Sequence, residues 1–211
     1  MHCPPHFQED RRETLIDLIE RYPLATIIRH GPSGLAADHV PLLHVQQSGT
    51  AGKLIGHVAR NNPLWQCPAD QELLVVFQGP STYISPNWYA SKHETGKVVP
   101  TWNYAVVHAY CSLRALDDAE QVRQIVTALT DRHEATQAQP WRVSDAPEEY
   151  TAKLLENIVG IELVIQRLQG KWKVSQNQPE KNRASIAQGL SAQGSNVHRQ
   201  MAGLVESGSD R

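Results

Sequence analysis

The residues of this sequence best able to do chemistry are its ten histidines, three cysteines and the aromatics near its middle. Their spacing narrows the choice. His93-Glu94 and His133-Glu134 each open a zinc-protease pattern, yet neither has a second histidine four residues on. His39, His57 and His108 fall in β-rich segments, where hydrogen-bonded strand histidines are the expectation and no metal site is. Cys3, Cys67 and Cys111 are too far apart and too few for a disulfide framework or a CxxC knuckle. That usage fits a reducing cytosol, and Cys111, mid-strand, reads as a packed thiol rather than a nucleophile. Gly49-Thr-Ala-Gly52-Lys53 has the wrong spacing for a phosphate loop and reads as a hairpin turn. No GxGxxG and no GxSxG elbow is present.

Three segments remain. In GHVARNNPLW (56–65) a strand ends at His57, Val58, Ala59, Arg60 and Asn61, where the chain turns. Turn N–H groups, an arginine and asparagine amides make a phosphate cradle; a solvated arginine beside a helix-capping asparagine is the plainer alternative. FQGPSTYISPNWYASK (77–92) gathers Tyr83, Trp88 and Tyr89 with Ser85 and Lys92. In VVPTWNY (98–104), Trp102 and Tyr104 point to one side of a strand and Asn103 to the other. Aromatic faces with a few amides suit a flat conjugated ligand, and equally a dimer interface or an aromatic core layer.

The elements that must position these residues are mostly strands. Asp10 and Glu13 offer a capping box for a helix that Pro23 ends. Apolar, β-branched runs at 24–30, 35–45 and 53–59 alternate with turn signals in a hairpin rhythm. Further strands are expected at 72–79 and 81–85, joined at Gly79-Pro80, and at 98–116 and 159–168, with a loop over 87–97. Residues 117–134 form the clearest helix, capped by Asp117 or Asp118 and burying Val122, Ile125, Val126 and Leu129. A second helix is expected over 147–158 and weaker ones around 182–190 and 195–206. About six sequential strands without βαβ alternation predict a mainly β, antiparallel barrel or half-barrel with peripheral helices.

Length and charge set the frame. The chain has 211 residues, 40% of them hydrophobic, and a net charge of -2. This is enough for one cored domain with a tail, and it lacks the basic excess of a domain living on phosphate contacts. The first residues hold no apolar signal core and no run is apolar enough to span a membrane, so a cytoplasmic protein is expected.

HFQED near the start, GHVARNNPLW, FQGP-x-x-Y-x-SP-x-WY, GKVVPTWNY-x-x-VHAY, GKWKVSQN and NRASIAQGL together resemble the PaiB family, described as FMN-binding negative transcriptional regulators. The resemblance runs unbroken to about residue 190. It implies an FMN-binding split barrel over 1–178, an appendage over 179–211, and a homodimer with flavin at the subunit interface. By order of elements it places the flavin phosphate at His57, Val58, Ala59, Arg60 and Asn61, with Asp38, His39 and Val40 flanking the ring edge. Trp102 and Asn103 are candidates for stacking and amide contacts, and Lys173, Ser175, Gln176 and Asn177 for closing the pocket. The family label implies a regulator; the other reading is a flavin- or haem-dependent oxidoreductase with no direct DNA role. No acid–base group stands out, and the helices over 117–134 and 147–158 are acidic rather than basic, so direct DNA reading is not expected.

Overall fold

Alternating apolar positions put about 35% of this chain into strands. The structure is a computed structural model and describes residues 1–208. Its strands are β1 (Gln8–Glu9), β2 (Leu24–Gly31), β3 (Gly34–Pro41), β4 (Leu43–Val45), β5 (Lys53–Ala59), β6 (Leu73–Ile84), β7 (Thr101–Leu116) and β8 (Ile158–Lys173). Its helices are α1 (Arg12–Arg21), α2 (Lys92–Thr95), α3 (Ala119–Glu134), α4 (Glu148–Leu155), α5 (Glu180–Ser191) and α6 (Asn196–Ser207). The strands form one sheet in the order β3-β2-β6-β7-β8-β5-β4, with β1 also pairing β8. Sheet and helices together are the antiparallel class expected, with eight strands in place of about six.

The chain divides into two compact units. Of the described residues, the first comprises 1–18, 78–107 and 169–208, the second 19–77 and 108–168. In the first, β1 lies on β8 with Gln8 opposite Lys171. Asn182 of α5 is 3% exposed. Its Oδ1 accepts from the Ser91 N–H at 3.0 Å, and its Nδ2 donates to the Ser91 hydroxyl at 3.1 Å. The tail is thereby tied to the segment before α2.

In the second unit, β2 pairs β3 along its length, and β5 pairs β8 with Leu54 opposite Leu163, both fully buried. Asp118 caps α3 by accepting from the Gln121 N–H at 3.0 Å. The helix packs Ile125 and Leu129 with Leu116 against Leu43 and Ile55. Val122 is also buried, while Val126 is only half-buried.

Four local expectations change. Asp10 does not cap α1: the helix begins at Arg12, Asp10 accepts from the Gln8 side chain, and Glu9 takes the Arg11 N–H at 3.0 Å. The run 35–45 is two strands, because Leu42 leaves the ladder to donate to the Pro23 carbonyl at 2.9 Å. Gly79-Pro80 lies inside β6, and Gly170 lies inside β8. Residues 86–97 hold a 3-10 turn and the short helix α2 rather than open loop. Cys111 is fully buried, and burial, with a smaller contribution from Glu72, pushes its thiol up to about 12. Among the described residues no helix is long and apolar enough to cross a membrane, and no His/Cys/Asp/Glu group is placed to hold a metal.

Candidate functional site

The expected site residues fall into two groups, one in each unit. In the second unit, the end of β5 carries His57, Val58 and Ala59, followed by Arg60 and Asn61. Val58 is buried, while Ala59, Arg60 and Asn61 are exposed. The Arg60 guanidinium is engaged within the chain. It forms a two-pronged ion pair with Asp117, at 2.6 and 3.1 Å, and donates to the carbonyls of Glu156 at 2.7 Å and Ile158 at 3.1 Å. That pair holds the Asp117 carboxyl below the usual carboxylate range. The adjoining cleft, of about 640 Å³, is lined by five acids, Asp117, Asp118, Glu120, Glu148 and Glu156, against Arg60 and Arg123. A phosphate at Arg60 has to displace Asp117 and enter a field dominated by carboxylates.

On β3, Asp38 and Val40 share one face and His39 points to the other, exposed. Asp38 Oδ1 accepts from Asn62 Nδ2 at 2.8 Å, and Asn62 Oδ1 caps the turn at Pro63–Gln66 by accepting from the Leu64 N–H. Asp38 Oδ2 and Arg29 Nε lie 3.7 Å apart, buried and without hydrogen bonds.

In the first unit, the start of β7 and the end of β8 bring Trp102, Asn103, Lys173, Ser175, Gln176 and Asn177 close in space. Their strand alternation sets what each can do. Trp102 is 57% exposed and meets Tyr83 edge to face, with ring centroids 6.3 Å apart. Asn103, on the opposite face, is 1% exposed. Its Nδ2 donates to the Ser175 hydroxyl at 2.8 Å, while its Oδ1 is buried with no hydrogen-bond partner. A buried carboxamide oxygen left unmatched costs about 1–3 kcal/mol, so it marks a place where a donor from outside the chain belongs.

The backbone around it is arranged at some cost. Among the described residues Ser175 is the only non-glycine with positive φ, at 64°, a conformation that persists where the surroundings impose it and concentrates at functional sites. Gln176 imposes it here: its Oε1 accepts from the Val174 N–H at 2.8 Å and its Nε2 donates to the Trp172 carbonyl at 2.5 Å. Gln176 therefore builds the turn, which leaves one Nε2 N–H for another partner.

Lys173 donates to the Thr101 hydroxyl and, at 2.7 Å, to the Trp102 carbonyl. An ammonium has three donors, so one remains. Burial, and secondarily the charge of Lys171, hold its pKa below the ordinary lysine value. A cavity of about 170 Å³ is lined by Asn103, Lys173, Ser175 and Asn177 together with Phe7, Tyr89, Val99, Thr101 and Gln178. Of the last five, only Tyr89 was singled out from the sequence, although Val99 and Thr101 lie inside an aromatic-rich segment that was.

His57 and His108 depart from the hydrogen-bonded strand histidines expected: Nδ1 of each is buried without a partner. Burial lowers both from the ordinary 6.5. The unfolded chain thus takes up the protons first as pH falls, so the stability due to these neutral rings is complete above the unfolded value and is lost as pH drops through the folded one. The urea midpoint is expected to be lower at about pH 5.5 than at about pH 7.5, and the drop smaller in His57→Gln and His108→Gln. Equal pH dependence in the wild type and both variants rules out these rings as its source.

A family described as "Putative FMN-binding domain" matches residues 1–167. Among curated proteins, an uncharacterized protein of Emericella nidulans is 35% identical over 181 residues, covering 73% of this chain and 72% of that protein. "Protease synthase and sporulation protein PAI 2" of Bacillus subtilis is 28% identical over 207 residues, covering 98% of this chain and 97% of that protein. Among solved structures, the FAD and heme binding protein from Mycobacterium smegmatis superposes with a TM-score of 0.57 at 18% identity, covering 79% of this chain and 73% of that one. A conserved hypothetical protein from Mycobacterium tuberculosis gives 0.58 at 10% identity, covering 85% and 95%. These structural likenesses are of fold, and they place the sheet and its helices in the split-barrel class.

Proposed function

The chain belongs to the PaiB-like family of FMN-binding domains, and from that premise we propose that it is a flavoprotein whose first unit holds the pyrimidine edge of FMN. One observation carries this reading: the unmatched, buried oxygen of Asn103, a residue that lines a cavity whose only charged side chain is Lys173. The flavin's pyrimidine edge presents an imide N–H between two carbonyl oxygens. A carboxamide oxygen flanked by an ammonium and hydroxyls is its complement. The cavity suits one heterocyclic edge and not a whole FMN.

Each residue then has a task. Asn103 Oδ1 accepts the imide N–H, held at that angle by the bond from Nδ2 to Ser175. Lys173, anchored by Thr101 and the Trp102 carbonyl, turns its remaining N–H toward a carbonyl oxygen. Trp102, exposed at the start of β7, offers an indole face for stacking. Bound FMN supplies electron transfer; the protein binds, orients and tunes it. In the second unit, a phosphate role for Arg60 is a separate proposal, with exchange of Asp117 for phosphate as its requirement.

Two further parts of the reading follow. The exposed Trp102, Tyr83 and Val99 support a second copy of the chain as partner, with flavin at the interface. The net charge of -2 and the acids of α3, Glu120, Asp131 and Glu134, support regulation through the flavin rather than by direct DNA contact in the cytoplasm.

The test is a sizing run of the purified protein, after incubation with FMN, recording mass and visible spectrum together. Flavin absorbance co-eluting at twice 23.5 kDa is the expected result. A colourless peak after FMN addition, or a Soret band in place of flavin bands, overturns the flavin reading, and a monomer mass overturns the dimer. Tight, specific DNA binding at physiological salt sinks the indirect-regulation part.

A further inference from the structure

Charge in the first-unit cavity is one-sided. Lys173 is the only charged residue lining it, and no carboxylate pairs with that ammonium among the described residues. The neighbouring Lys171 is 9% exposed, donates to the His2 carbonyl at 3.0 Å, and sits over the Tyr104 ring at 5.3 Å. It adds a second positive charge to the same end of β8. One hydroxyl and one carbonyl oxygen are the hydrogen-bond partners of Lys173 among the described residues, and neither carries a charge. Such a group has more to gain from an anion than from a neutral ligand.

We propose that Lys173 sets the redox balance of this protein, favouring the reduced, anionic form of bound FMN over the oxidised, neutral one. The inference rests on the flavin reading above and adds a residue-level cause to it. Reduction takes up two electrons and one proton (FMN + 2e⁻ + H⁺ → FMNH⁻). The proton ends on N5, and the negative charge spreads over N1 and the adjoining C2 carbonyl, on the pyrimidine side. An ammonium at that side interacts with a carbonyl dipole before reduction and with a full charge after it. Asn103, being neutral, contributes nearly equally to both forms. The two residues therefore divide the work: Asn103 governs whether flavin is held, and Lys173 governs which oxidation state is held better.

The experiment is a reductive titration of the FMN-loaded protein, with dithionite as the electron source, giving the midpoint potential and the ratio of affinities for reduced and oxidised FMN. Lys173→Gln keeps two donors, for Thr101 and the Trp102 carbonyl, and removes the charge together with the third donor. It is expected to lower the preference for reduced FMN about tenfold or more, a negative shift of about 30 mV or more for a two-electron couple. Lys173→Arg restores most of it. Lys173→Met, which also loses the hydrogen bonds, shifts the potential at least as far and loosens oxidised FMN as well. If Lys173→Gln fails to fold, the comparison of Lys173→Arg and Lys173→Met with the wild type decides the matter. FMN that binds to all forms with an unchanged affinity ratio overturns the inference while leaving the flavin reading intact. FMN that binds to none, the wild type included, overturns the flavin reading itself.

Discussion

Asn103→Leu is expected to weaken FMN binding about 10- to 100-fold while the protein stays folded. Leucine has the branched heavy-atom skeleton of asparagine, so the 1%-exposed position stays filled and no cavity forms; its bulkier methyl groups add an overpacking cost of about 1 kcal/mol. Two polar consequences remain. The Ser175 hydroxyl loses its donor at 2.8 Å, a loss of about 1 kcal/mol in stability. The imide N–H of an incoming flavin meets a methyl group, and leaving it unmatched in a buried site costs about 1–3 kcal/mol, the source of the fold-change. Titration of the apoprotein with FMN, followed by flavin fluorescence, gives the dissociation constant. A flavin methylated at N3 extends the test: it should bind the wild type poorly and discriminate little between wild type and Asn103→Leu. Equal FMN affinity in the two proteins removes Asn103 from the site.

Leu163→Ala should have the largest effect on stability. Leu163 is fully buried in β8, directly opposite Leu54, which is also fully buried. Truncation leaves a void between two strands that antiparallel pairing holds in place, so the site cannot collapse around it. The expected loss is about 3 kcal/mol, within the 2–5 kcal/mol typical of such changes, or roughly 10 °C in Tm for a chain of this length. The neighbouring Val164→Ala is the control. Val164 is 40% exposed on the other face of the same strand, and its loss should stay within about 0.5 kcal/mol. Denaturation of both variants in urea decides it. Similar losses in the two contradict the assigned register, because a slip of one residue exchanges their faces.

Much of this fold was legible in sequence where local and tertiary demands agree. Helix α3 announced itself through Asp118 and the spacing of Val122, Ile125 and Leu129, and the structure uses each of them as expected. The glycines misled. Gly79 and Gly170 look like strand breaks, yet both are interior to strands because neighbours come too close for any side chain. A Cβ at Gly79 meets Leu18 Cδ1 at 2.9 Å, and one at Gly170 meets Leu15 Cδ2 at 2.3 Å and the Glu9 carbonyl at 2.7 Å. Turn propensity is visible in a local window; a close approach by α1 or β1 is not.

The site shows the same division. Strand period alone put Asn103 and Trp102 on opposite faces, and so they are. Nothing local showed that the Asn103 carboxamide is half-matched by Ser175, seventy-two residues later, or that Gln176 shapes the turn. Arg60 illustrates the limit most plainly. An exposed arginine at a strand end reads as an anion ligand, and nothing local shows that Asp117, fifty-seven positions away, already pairs with it.

The place of β8 in the sheet has a consequence for how this chain is made. Besides β7, its partners are β5, where Lys53 meets Val164, and β1, where Gln8 meets Lys171. Both complete their ladders with a strand that leaves the ribosome more than a hundred residues after them. Until residue 173 has emerged, the β5 and β1 edges stay open, with Leu54 lacking Leu163 to cover it. Such long-range pairing makes closure slow and leaves a sticky intermediate during synthesis. Closure of this sheet therefore waits for β8, and its yield in a cell depends on what shields that open edge.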